Sequence, residues 1–261
     1  MTITRRELLQ TACAASMATA FGAAAANPLL GLIAPPADYP VPPEALAMYS
    51  SKVRFKVFGL GLKTMTPEGY DSVIDKIVPG ARTLAEAGAS AIVIFGTSLT
   101  FYKGAAFNER LIGQVKKATG LPTTSMSTAV VEGLRAVGGR RIAVATAYND
   151  EVNRRLKGFL GESGFEVLAL KGLGLEAIGD PAKISQSELQ KFSAAVFESA
   201  PKADAMLVSC GGLRTLEILA PIEKQCKVPV VSSTPHALWA GVRLLGVSGK
   251  VQGFGSLLAK A

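Results

Sequence analysis

Ala205-Met206-Leu207-Val208-Ser209-Cys210-Gly211-Gly212 is a short apolar run that ends in a thiol and two glycines. Residues 213–226 after it read as one helix, so the pattern predicts a buried strand that turns into a helix N-terminus at Cys210. In open α/β sheets ligands bind outside the carboxyl ends of the strands. The glycines suit a tight turn and a close approach of the backbone to a ligand. Free N–H groups in a first helical turn offer donors to an anion. Cys210 is therefore a candidate for chemistry, set against the plainer reading of a core cysteine before an ordinary turn.

The rest of the chain repeats this grammar. Apolar runs at 29–34, 54–60, 89–95, 123–126, 140–148, 166–170 and 229–233 read as further strands. Helices are expected between them, one over 67–87 kinked at Pro79-Gly80, one to Gly120, and one to Val137 capped by Ser127-Thr128. Residues 35–43 and 99–104 read as loops. Alternation of this kind predicts an α/β fold with mostly parallel sheets flanked by helices. The two halves also echo each other: a third strand ends in Gly96-Thr97-Ser98 in one and Cys210-Gly211-Gly212 in the other. A helix, a Pro-led strand and a Ser-Thr pair (Ser127-Thr128; Ser233-Thr234) follow each time. The expectation is an internal duplication giving two α/β lobes facing across a cleft, residues 27–138 joined by 235–261, and residues 139–234.

The composition narrows the function. The chain has 261 residues and a net charge of +8, with charged residues at 18% and aromatics at 7%. Its basic residues are scattered rather than interleaved with aromatics, which argues against nucleic-acid binding and only weakly favours anionic small molecules. One histidine and three cysteines do not make a metal cluster. Arg5-Arg6 before an alanine-rich stretch to Ala26 resembles a twin-arginine export signal, so residues 1–26 are expected to direct the chain to the periplasm. No other apolar run is long enough to span a membrane, so none is expected to hold the chain there once the signal is removed. Cys210 and Cys226 flank one expected helix and would lie roughly 24 Å apart at ~1.5 Å per residue, too far for a disulfide. Cys210 is expected to be a free thiol.

Facing lobes would bring Cys210 opposite the hydroxyls of Thr97 and Ser98, with the Tyr148 phenol at another strand end. Such neutral donors suit carboxylate or enediolate oxygens. The set contains no carboxylate or histidine base, metal ligand or phosphate loop. His236 reads as a structural residue at a helix start.

The segments 96–108, Thr119-Gly120-Leu121-Pro122, 125–130 and 209–213 closely resemble the arylmalonate decarboxylases, as do 59–62, 66–70 and 143–148. That family sits with the aspartate/glutamate racemases, two-lobed proteins of pseudo-twofold symmetry. The resemblance implies a cofactor-free, metal-free decarboxylation of an aryl- or alkenyl-substituted malonate, a small-molecule carboxylate. It implies Cys210 as proton donor, and Thr97, Ser98, Tyr148 and backbone N–H groups near Cys210 and Gly211 as the oxygen-binding hole. It implies Pro35, Leu62, Met65, Tyr70, Leu175 and Ile178 as the apolar pocket. Racemases of the superfamily use one cysteine on each lobe, and Gly96 stands at the first of these positions. One thiol delivers a proton to one face only, which disfavours a racemase or maleate-isomerase reaction. A periplasmic carboxylate-binding protein is a further reading that does not need the thiol. The oligomeric state is not legible.

Overall fold

The computed structural model describes residues 26–260. The segment expected to direct export therefore lies outside the described residues, Ala26 excepted. The first half runs β1 (Leu29–Ala34), α1 (Pro43–Tyr49), β2 (Arg54–Gly59), α2 (Pro67–Asp71), α3 (Ile77–Glu86), β3 (Ala91–Ile94), α4 (Thr97–Phe101), α5 (Ala105–Thr119), β4 (Thr123–Ser125) and α6 (Met126–Ala136). The second runs β5 (Arg141–Thr146), α7 (Asp150–Glu162), β6 (Glu166–Gly172), α8 (Gln186–Glu198), β7 (Ala205–Ser209), α9 (Leu219–Cys226), β8 (Val230–Ser232), α10 (Ser233–Leu244) and α11 (Ser256–Lys260).

The strands form two four-stranded sheets, ordered β2-β1-β3-β4 and β6-β5-β7-β8, with every pairing parallel. The order is the same in both, as the echo between the halves predicts. The central strands β1, β3 and β7 are buried along their whole length, which is why they read as unbroken apolar runs. The edge strands β2 and β6 are partly exposed and carry Arg54, Lys56, Glu166 and Lys171.

The equivalent helices α6 and α10 pack on each other, and each reaches across: α10 lies on β3 and β4, and α6 touches β7 and β8. One continuous apolar core consequently runs through both halves. Gly241 lets α10 sit this close. A Cβ there would stand 2.5 Å from Val93 Cγ2 and 2.8 Å from Leu30 Cδ2.

Several local expectations are corrected. The segment after Cys210 is not one helix: a turn and a short 3-10 segment (Leu216–Ile218) precede α9 at Leu219. Both Cys210 and Cys226 are nonetheless free thiols. The break in the 67–87 region falls between α2 and α3, not at Pro79-Gly80. Pro79 occupies the first turn of α3, where no intrahelical N–H is needed. Residues 43–49 are helical because Pro43 stands at the first position, where proline is favoured. Residues 97–101 form α4 rather than continuing as a turn and loop. The cap of α6 is Ser125, whose hydroxyl accepts from Thr128 N–H at 3.0 Å, rather than Ser127-Thr128.

Gly241→Ala should force α10 off the first sheet and lower stability by about 1–3 kcal/mol. A lower urea midpoint with an unchanged slope is the expected result, and an unchanged midpoint would show that the contact is slack.

Candidate active site

A cavity of about 340 Å³ opens at the carboxyl ends of the strands. That volume is within the ~300–1,000 Å³ typical of small-molecule sites. Its wall comes from the segments after β1 (Pro35, Tyr39), β2 (Leu62, Met65), β3 (Gly96, Thr97, Ser98) and β7 (Cys210, Gly211), with Met126 opening α6. Ile178 and Ala182, beyond β6, complete it. Residues beyond β6 reach across to the first half: Met65 N–H donates to Glu176 O at 2.7 Å, and Ile178 N–H to Lys63 O at 3.0 Å.

Cys210 is 4% exposed and stands at the end of β7, its sulfur 4.0 Å from Met65 Sδ. Burial pushes its thiol up to about 11, although the Gly212 and Leu213 N–H groups and the Tyr148 hydroxyl oppose the shift by hydrogen bonding. Desolvation wins, so the sulfur stays protonated at neutral pH. Gly211 and Gly212 have ordinary backbone angles. They matter for space: a Cβ on Gly212 would be 3.0 Å from Pro181 Cβ, and one on Gly211 3.2 Å from Met126 Sδ.

Ser233, at the start of α10, ties the two sides together. Its Oγ lies 2.7 Å from Thr97 Oγ1 and accepts from Cys210 N–H at 3.1 Å. The Cys210 N–H is therefore occupied and is not a free donor to a ligand, contrary to expectation. A hydroxyl has one proton to give. If Ser233 gives its proton to Thr97, the Thr97 proton is free for the cavity. Ser127 holds the other end, donating to Thr97 O at 2.9 Å.

Ser98 lines the cavity and is 6% exposed. Tyr148 is fully buried behind the wall, its hydroxyl 3.3 Å from Ser209 Oγ and beside Cys210 and Thr97. Burial raises its phenol well above the ordinary range, so it is a neutral donor. Tyr70 is also fully buried and kept neutral by burial; its hydroxyl lacks a hydrogen-bond partner of good geometry and faces Ser98. Of the expected apolar pocket, Pro35, Leu62, Met65 and Ile178 line the cavity. Leu175 does not: it belongs to the crossing segment, where its N–H donates to Ala147 O at 2.8 Å.

Gly96 lines the same cavity as Cys210 and has φ 93°, a left-handed value that favours glycine. A Cβ there would meet Pro35 Cγ at 2.6 Å. Sequence reasoning missed Tyr39, Glu44 and Arg214, which also line the cavity. Tyr39 and Glu44 fall in the stretch read as loop and its missed helix, and Arg214 in the stretch read as plain helix. His236 lies outside the lining; it is buried and its Nδ1 accepts from Ser232 N–H at 3.0 Å. Among the described residues, no three His, Cys, Asp or Glu side chains gather in a way that could hold a metal ion. No described helix is long and apolar enough to cross a membrane.

The family model for arylmalonate decarboxylase matches residues 30–258. The chain belongs to the arylmalonate decarboxylase family. It is thereby an enzyme of the carboxy-lyase class. It is 45% identical to arylmalonate decarboxylase of Bordetella bronchiseptica over 89% of this chain and 97% of that one. A solved arylmalonate decarboxylase carrying glycine-to-cysteine and cysteine-to-serine changes, in its liganded form, superposes with a TM-score of 0.87 at 44% identity, covering 90% of this chain and all of that one. Maleate isomerase of Nocardia farcinica is 23% identical over 88% of this chain and 94% of that one. A solved structure of that isomerase shares the fold, with a TM-score of 0.84 at 20% identity over 90% of this chain and 99% of that one.

Two outcomes test the electrostatics. Iodoacetamide at pH 8 should alkylate Cys210 ~100-fold more slowly than an ordinary thiol, the rate rising about tenfold per pH unit up to about pH 10. Peptide mass spectrometry reads this, and fast labelling at pH 8 would contradict a protonated site. Burial lowers His236 from 6.5 to about 4. Folding thus expels its proton, so its contribution is complete above pH 6.5 and is lost as pH falls through about 4. The loss should approach ~3 kcal/mol. His236→Gln should flatten the urea stability profile between pH 7 and 4 by that amount; an unchanged profile would exclude His236 as its cause.

Proposed function

We propose that the protein decarboxylates an aryl- or alkenyl-substituted malonate without a cofactor, and that Cys210 protonates the intermediate on one face. One observation carries this reading: a buried thiol held protonated in a cavity lined by the neutral donors Thr97 and Ser98, with Gly96 rather than a second thiol in the same lining. Family membership supports the substrate class.

In the proposed reaction, Thr97, Ser98 and the Gly211 N–H hold one carboxylate, with Tyr148 behind them. The other carboxylate lies against Leu62, Met65 and Ile178. The bond from the α-carbon to that carboxylate breaks and CO2 leaves. The electron pair stays on the α-carbon and spreads into the retained carboxylate as an enediolate. Neutral hydrogen-bond donors aimed at those oxygens stabilise the developing charge. The Cys210 S–H bond then breaks and its proton joins the α-carbon. The thiolate, held by the Gly212 and Leu213 N–H groups, recovers a proton from solvent. A donor on one side gives a single enantiomer.

The test follows CO2 release from phenylmalonate with no added metal or cofactor. Cys210→Ser should lower kcat by at least ~100-fold. Turnover of α-methyl phenylmalonate in deuterated water should give one enantiomer carrying one deuterium at the α-carbon. A racemic product, or release that survives the substitution, would remove Cys210 from the mechanism. Absence of release in the unaltered protein would remove the substrate class.

A further inference from the structure

The cavity has a polar end that the proposed decarboxylation does not use. Glu44, in the first turn of α1, lines it and is only 7% exposed. Among the described residues no side chain forms an ion pair with its carboxylate. Burial raises the acid and the Glu217 charge adds to this, while a hydrogen bond from its own backbone N–H and, to a smaller extent, the Arg214 charge oppose it. Arg214 also lines the cavity and is exposed, so it marks the mouth, whereas Cys210 marks the floor. It is the one basic side chain in the lining among the described residues. Tyr39 connects the two ends: its phenol feels both Glu44 and Cys210, and its hydroxyl stands 3.5 Å from Gly211 O.

The Glu44 carboxylate is met by its own backbone N–H but has no ion-pair partner among the described residues, and a buried carboxylate gains from every further hydrogen bond. The cavity side is where a partner can come from. An anionic ligand group would meet Asp38, Glu44 and the nearby Glu217. A cationic group would be drawn to those carboxylates but would meet the Arg214 charge at the mouth. A neutral hydroxyl suits both residues, since it donates to a carboxylate and accepts from a guanidinium.

We propose that Glu44 and Arg214 select malonates whose aryl group carries a hydroxyl at its far end, meta or para to the malonate carbon. This rests on the decarboxylase reading and names the substrate within its class. Tyr39 serves as the wall that guides the ring between floor and mouth. Sites that hydrogen-bond a substrate hydroxyl discriminate strongly against analogues that lack it, because the site's own polar groups are then left unpaired.

The experiment measures kcat/KM for phenylmalonate, for 3- and 4-hydroxyphenylmalonate and for 3- and 4-methoxyphenylmalonate. A methoxyl donates electrons to the ring about as a hydroxyl does but has no proton to give. Their ratio therefore reads the contact rather than the intrinsic ease of decarboxylation. At least one hydroxyl isomer should exceed the methoxyl compound substituted at the same ring position by about tenfold or more. Glu44→Leu, near in size, and Arg214→Leu, at an exposed position, should each bring that ratio to within about twofold of one. Circular dichroism melting checks that Glu44→Leu folds, and Arg214→Leu carries the test if it does not. Turnover of phenylmalonate with no hydroxyl preference, or a preference that survives both substitutions, overturns the assignment and leaves the decarboxylase reading standing. No turnover of any of the malonates overturns the decarboxylase reading and the hydroxyl assignment with it.

Discussion

The hydroxyl of Ser233 is the joint on which this site depends. It meets a threonine of the first sheet's α4 and the backbone of the cysteine that ends β7. One oxygen thereby fixes the Thr97 hydroxyl relative to the backbone that carries the thiol. Ser127, its counterpart after β4, secures Thr97 from behind. The chemistry needs donors and acid set within fractions of an ångström, and this arrangement supplies that from rigid elements rather than from loops.

The second governing condition is dryness. A thiol in water is partly ionised just above neutral pH, and a loop of N–H groups facing it would increase that tendency. Here the apolar surroundings of Met65, Met126 and Leu213 outweigh those donors. A site built as a nucleophile would use the opposite balance. The cysteine's burial therefore supports the acid role proposed for it over a nucleophilic one.

Much of this was readable from the chain, for identifiable reasons. Fully buried parallel strands leave unbroken apolar runs, so β1, β3, β5 and β7 stood out, and the small residues after β3 and β7 drew attention to Thr97, Ser98 and Cys210. Helix starts were harder. Pro42-Pro43 reads as loop, although a proline at a first helical position is equally at home. The stretch after Cys210 carries a helix-like pattern that tertiary packing bends into turns. The state of the thiol was not legible because two opposing influences meet there and only burial decides between them. Tyr39, Glu44 and Arg214 were missed because their meeting is a product of the folded cavity, with 170 positions of chain between the last two. The occupied N–H of Cys210 was hidden for the same reason, since its partner lies on another helix.

The exchange of α6 and α10 has a consequence for how the protein came to be one chain. The sheet order repeats, as in a pair of joined copies, yet neither copy covers its own sheet alone. A chain severed after α6 would leave β3 and β4 without α10, and β7 and β8 without α6. Each fragment would present bare apolar strands to water. An ancestral single copy with this architecture would therefore have had to live as a pair, trading its last helix with a twin, before fusion made the trade internal. Fusion also freed the two sides to diverge, so that one can keep a thiol where the other keeps a glycine.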